Sequence, residues 1–160
     1  MDTKDVINRL RSAKTAHLGW VSRAGALIEG KAVDKEKIPV LPTDCIFGTW
    51  YYNDGKALAH LSAYHDIEQP HNELHQIYAE IFALLFGKEK GSFISRLTGS
   101  NKEQKLIRAR QRFHDLQKVS SVIMQKLDAL EKEIRIVSAM TSSDSDVELD
   151  LDLPAWDDKT

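Results

Sequence analysis

The chain holds a single cysteine, Cys45, so no internal disulfide can form. That thiol is left as inert packing, a reactive group, a metal ligand or an intermolecular link. No apolar run is long enough to span a bilayer, and the N-terminus lacks the apolar core of a signal peptide. Cytoplasmic residence is the expectation that follows. Strong charge of one sign is missing from most of the chain. The net charge is −2, yet residues 141–160 carry Asp144, Asp146, Glu148, Asp150, Asp152, Asp157 and Asp158 against Lys159, which leaves about +4 elsewhere. That excess is too mild for a nucleic-acid binder. There is no internal repeat. The one alternating run, Val147 to Leu153, has acids at every polar position and no second strand to pair with.

What is present suits one domain with a core, since 160 residues carry 42% hydrophobic and 29% charged side chains. Val6, Leu10, Ala13, His17, Trp20, Val21, Ala24 and Ile28 recur at three- and four-residue steps, which predicts a helix over 3–29 with Gly30 as its C-cap. Residues 31–42 read as a loop. Thr43 is a candidate cap for a short helix from Asp44 that carries Cys45, Phe47, Gly48, Trp50 and Tyr51. Asn53-Asp54-Gly55 signals a turn, and 56–66 reads as another short helix. After a break at Glu68-Gln69, Pro70 starts a helix to residue 86.

Residues 87–101 read as a flexible connection with a helical turn at Phe93–Leu97. A last helix, capped by Ser100 or Asn101, runs to about Val137 with its apolar stripe from Ala109 to Val137. It is longer than its neighbours, so part of it is available to pack on a second subunit. The expected fold is all-α, a four-helix bundle with short additional helices over 1–140. A disordered acidic tail follows over 141–160. Within that tail, Leu151 to Trp156 reads either as a short docking motif or as solvated chain.

Three histidines fall on inward stripes. His71 and His75, four apart, share one face of their helix, and His17 sits inside the stripe of the first. Buried imidazoles are costly unless their nitrogens are satisfied. Taken singly, each histidine is more often a satisfied core residue than a ligand, and Cys45 alone reads as packing. Together, His17, Cys45, His71 and His75 offer the mixed nitrogen and sulfur donors of a tetrahedral zinc site, softer than magnesium or calcium prefers. Trp20 and Trp50 are candidates to shield such a site, and Gly48 to let the short helix approach closely. His60, His65 and His114 read as surface or helix-end residues.

The spelling around these residues is similar to one known family. His17-Leu18-Gly19-Trp20, then Cys45-Ile46-Phe47-Gly48-Thr49-Trp50, then His71-Asn72-Glu73-Leu74-His75 resembles, in order, the three motifs of the chemoreceptor zinc-binding (CZB) domain family, over roughly residues 10–137. The resemblance implies a homodimeric helical bundle holding one Zn2+ through His17, Cys45, His71 and His75. It implies a non-enzymatic sensor or regulator of bacterial signalling, in chemotaxis or cyclic-di-GMP control. Its implied signals are zinc level or oxidation of Cys45, for example by hypochlorous acid. No methyl-accepting hairpin or cyclase motif is recognisable in the chain. A separate signalling partner is therefore expected, a chemoreceptor, a diguanylate cyclase or another protein, with neither nucleic acid nor membrane involved. The alternatives are an adaptor with a purely structural zinc and a small zinc hydrolase. The hydrolase needs an open coordination position and a general base. A four-helix di-iron protein would want Glu-x-x-His motifs on facing helices, and none surrounds these histidines.

Overall fold

The computed structural model describes residues 3–87 and 100–144. Helix α1 spans Thr3–Ile28 and buries Leu10, Ala13, His17, Trp20, Ala24 and Ile28 of the expected stripe; Ile7 rather than Val6 is the buried residue of its first turns, and Val6 and Val21 are half-buried beside the core. It ends where Gly30 takes a left-handed φ of 75°. The Gly30 N–H donates to the Leu27 carbonyl and the Lys31 N–H to that of Ala26, which closes the helix end with its last carbonyls satisfied. The expected loop follows, with one 3-10 turn at Lys35–Lys37. Then come α2 (Ile46–Tyr52), a 3-10 turn (Asp54–Leu58), α3 (Ser62–His65), α4 (Glu68–Phe86) and α5 (Ser100–Asp144). The fold is all-α, a helical bundle, with no strand among the described residues.

Four expected boundaries shift. The cap of α2 is Cys45 rather than Thr43. The helix expected over 56–66 is a 3-10 turn followed by the four-residue α3. No break separates Glu68-Gln69 from Pro70, because α4 already begins at Glu68. Pro70 lies in the first turn, where its missing N–H would have no partner inside the helix. The last helix continues past Val137 to Asp144, so Thr141 to Asp144 are helical rather than disordered. The expected turn at Phe93–Leu97, the alternating run 147–153 and the segment 151–156 lie outside the described residues.

Helix α5 is the spine. Its 45 residues make a rod of about 68 Å at 1.5 Å per residue. Ala109, Leu116, Ser120, Ile123, Leu127, Leu130 and Ile134 form its buried face. Helix α1 runs antiparallel along it, from Gly25 against Phe113 through His17 with Ser120 to Thr3 with Ser138. The α3–α4 segment also runs antiparallel to α5, with Ser62 on Glu133, Asp66 on Lys126 and Glu80 on Arg112. Glu131 links α1 to α5. Hydrogen bonds from Arg11 first, then Arg135 and Lys14, push its carboxyl down to about 2.

The short α2 is the fourth member of the bundle and packs on α1. It is fastened to α3 by a reciprocal pair. The Tyr51 hydroxyl donates to the Tyr64 carbonyl at 3.0 Å, and the Tyr64 hydroxyl to the Tyr51 carbonyl at 2.7 Å. Their rings stack 4.4 Å apart. Ile107, Val122, Ile136, Val137 and Met140 remain exposed on α5.

Candidate metal centre

Cys45 sits in extended backbone (φ −76°, ψ 152°) immediately before α2, where a side-chain acceptor can take one of the helix's unpaired first N–H groups. Its Sγ accepts from the Gly48 N–H at 3.1 Å and faces the Pro42 carbonyl at 3.4 Å. Gly48 makes this approach possible. A Cβ there would stand 1.7 Å from the Pro42 carbonyl oxygen.

Helix α4 brings its i, i+4 histidines to the same point. His71 Nε2 lies 3.4 Å from Cys45 Sγ, and the donor atoms of Cys45, His71 and His75 all fall within 4.8 Å of one another. All three side chains are buried. His75 donates from Nδ1 to the Val40 carbonyl at 2.8 Å, which leaves Nε2 with its lone pair. His71 has a buried Nδ1 with no partner. His17, on α1, is 3% exposed but stands outside the three-donor cluster. Its Nε2 meets the Ser120 hydroxyl at 2.9 Å.

The donors fit a zinc ion. Zn–S and Zn–N bonds of about 2.3 and 2.0 Å make a tetrahedral S···N edge of about 3.5 Å. Cys45 Sγ and His71 Nε2 are already at that separation. His71 Nε2 and the buried Cys45 thiol therefore face each other as two soft donors that one cation could bridge, while His71 Nδ1 has no partner. Burial pushes the Cys45 thiol up, against the pull of the Gly48 and Phe47 N–H groups. Burial also lowers all three histidines, His17 to about 4 and His71 to about 3, so they are neutral bases with lone pairs at pH 7.

Aromatic rings wall the donors. Phe47, 1% exposed, presents its ring at 4.8 Å from that of His71 and 6.1 Å from that of His17. Trp20 lies 4.8 Å from His75 and donates from Nε1 to the Pro39 carbonyl. Trp50 is one ring further out, 5.9 Å from Phe47, and lines a separate hollow with Arg9 and Ile46. A cleft of about 510 Å³ opens on one side of the donors, lined by His17, Trp20, Arg23, Lys37, Cys45 and His75. Glu73, the acid between the two α4 histidines, is exposed and bonds to Gln69, so it is no general base for this centre. Sequence reasoning missed Phe47 as a wall, Ser120, and the carbonyls of Val40 and Pro42. Of these, Phe47 had a signal in its place two residues after Cys45, and Ser120 in its place as a serine on the apolar stripe of the last helix.

The buried histidines make stability depend on pH. In zinc-free protein their folded pKa values lie below the unfolded value of 6.5, so the unfolded chain binds more protons between the two. Their contribution is full above pH 6.5 and is lost as pH falls toward 4 and 3. The fall from 6.5 to about 4 in His17 alone is worth on the order of 3 kcal/mol. Thermal melts of chelator-treated protein should show Tm dropping steeply below pH 6. A flat profile between pH 7 and 5 would contradict the burial of these rings as neutral bases.

Residues 17–82 match the family model described as the chemoreceptor zinc-binding domain, a narrower span than the expected 10–137. No curated protein and no solved structure gives a significant match. The family is one of regulatory zinc-binding domains rather than of enzymes. No described helix is long and apolar enough to cross a membrane. With a Cys/His/His cluster at the meeting point of α2 and α4, a donor set suited to zinc, the segment from residue 17 to residue 82 matches the chemoreceptor zinc-binding domain family in sequence and in its candidate metal site.

Proposed function

We propose that the chain is a zinc-responsive regulator in bacterial signalling, with His17, Cys45, His71 and His75 holding one zinc ion. The observation that carries this reading is the convergence of Cys45, His71 and His75 within 4.8 Å in a core opened by a cleft. When bound, zinc supplies a positive charge that favours the Cys45 thiolate and ties α2 to α4. His17 adds α1 to the same centre, so occupancy biases the relative positions of three helices. Two inputs act on this one arrangement: free zinc, and oxidation of Cys45, which removes the thiolate donor and loosens the metal. The cleft gives both a path to the sulfur, which favours an exchangeable site over a buried structural one. The output is a protein contact, with a chemoreceptor, a cyclase or another signalling protein. The exposed apolar residues of α5 support a homodimer as the working form.

The test is metal content and chelator competition on the full chain, wild type against His17→Ala. One zinc per chain, removed by chelator without unfolding and regained on adding zinc, is expected. Loss of His17 should weaken binding by about two orders of magnitude, a quarter share of the roughly 10–16 kcal/mol seen for four-ligand zinc sites. Absence of bound zinc under saturating metal sinks the reading. Zinc whose removal unfolds the bundle makes the site structural instead.

A further inference from the structure

Ser120 is an anomaly on the buried face of α5. That face runs Leu116, Ser120, Ile123, Leu127, with a hydroxyl where an aliphatic side chain would bury more apolar surface. Apart from the tyrosine hydroxyls and the Cys45 thiol, the buried polar side chains among the described residues are His17, His71, His75 and Ser120. The serine shares the core with these three histidines and touches one of them, His17. A buried hydroxyl must be satisfied, and the cheapest partner on a helix is the carbonyl four residues back. Ser121 next door does this, donating to the Gln117 carbonyl at 3.1 Å. Ser120 instead reaches across to α1 and meets His17 Nε2 at 2.9 Å.

His75 shows what such a contact does. Its Nδ1–H is committed to the Val40 carbonyl, which fixes the tautomer and leaves Nε2 as the donor nitrogen. A hydroxyl can donate or accept, and by accepting from Nε2–H the Ser120 hydroxyl would give His17 the mirror arrangement, with Nδ1 left with the lone pair. We propose that Ser120 is the positioning residue for His17 at the zinc centre, holding the imidazole as the Nε2–H tautomer through an outer hydrogen bond from α5. The proposal rests on the reading of His17 as the fourth zinc donor. It makes α5 a participant in the centre although α5 contributes no donor atom. It also extends the functional unit beyond residues 17–82, the span of the family match.

The experiment measures zinc affinity by chelator competition on the full chain for wild type, Ser120→Ala, Ser120→Thr, His17→Ala and the Ser120→Ala/His17→Ala double variant. Outer-sphere partners of metal-bound histidines are worth about 10- to 100-fold in affinity. Ser120→Ala should therefore bind zinc about 10- to 100-fold more weakly, and Ser120→Thr, which keeps the hydroxyl, should restore most of the loss. The double variant should bind no worse than His17→Ala. NMR of the zinc-free protein should show a solvent-protected His17 Nε2–H proton that disappears in Ser120→Ala. This readout stands even if the alanine variant is less stable.

Zinc affinity in Ser120→Ala equal to or tighter than wild type, with His17→Ala still weakened, overturns the proposal and leaves the four-donor reading intact. Unchanged affinity in His17→Ala removes that reading and the proposal with it.

Discussion

Replacing Gly48 with alanine is expected to lower stability by about 3 kcal/mol or more and to abolish tight zinc binding. The added Cβ would lie 1.7 Å from the Pro42 carbonyl oxygen, 2.8 Å from the Pro42 carbonyl carbon and 3.3 Å from Cys45 Sγ. Two of these contacts are backbone, so no rotamer change relieves them. The segment from Pro42 to Cys45 must move away from α2, and it carries the sulfur with it. Roughly a 10 °C fall in Tm follows for a domain of this size. Gly19→Ala is the control. Its Cβ would meet only the tip of the Arg23 side chain at 3.2 Å, and helix propensity favours alanine there. Thermal melts with and without zinc decide the matter. A Gly48→Ala protein that melts with the wild type would mean the close approach of α2 to Pro42 is not the arrangement in solution.

The second large effect separates the two roles of Cys45. Its sulfur caps α2 through the Gly48 N–H and faces the α4 histidines. Serine caps a helix at least as well as cysteine, but its hydroxyl does not ionise near neutral pH. Cys45→Ser should keep the zinc-free Tm close to wild type and weaken zinc by at least about two orders of magnitude, one donor's share of a four-ligand site. Cys45→Ala should lose the same affinity and a further ~1 kcal/mol of stability from the missing cap. Chelator competition reads the first quantity and zinc-free denaturation the second. Wild-type zinc affinity in Cys45→Ser would reduce the sulfur to a cap.

The long helices were legible because they are long. The stripe from Leu10 to Ile28 repeats often enough for a 3.6-residue period to stand out, and the same holds for Leu116 to Ile134, although the period placed Val6 where Ile7 is the buried residue. The region from Cys45 to Ile67 was read poorly because four- and seven-residue helices cannot display a period. What holds them is tertiary, as in the exchange of carbonyl bonds between Tyr51 and Tyr64. Thr43 looked the better cap because oxygen is the common capping atom, and nothing in residue type shows that a sulfur has taken the place.

The same limit applies at the centre. The His71/His75 spacing and the Cys45 motif can be picked out along the chain. The carbonyls of Val40 and Pro42 belong to the backbone and have no spelling. Ser120 is 103 residues from His17, a distance over which helical periodicity predicts that both face a core but not that they touch.

The length of α5 has a mechanical consequence. Ser120 lies near the middle of the rod, with about 30 Å of helix toward Ser100 and about 36 Å toward Asp144. A rigid rod pivoting at that level by only 5° would carry its two ends about 3 Å in opposite directions, at 1.5 Å of rise per residue. The lever multiplies a sub-ångström adjustment beside the histidines into a displacement comparable to half a helical turn. A contact at either tip would register it with opposite sign.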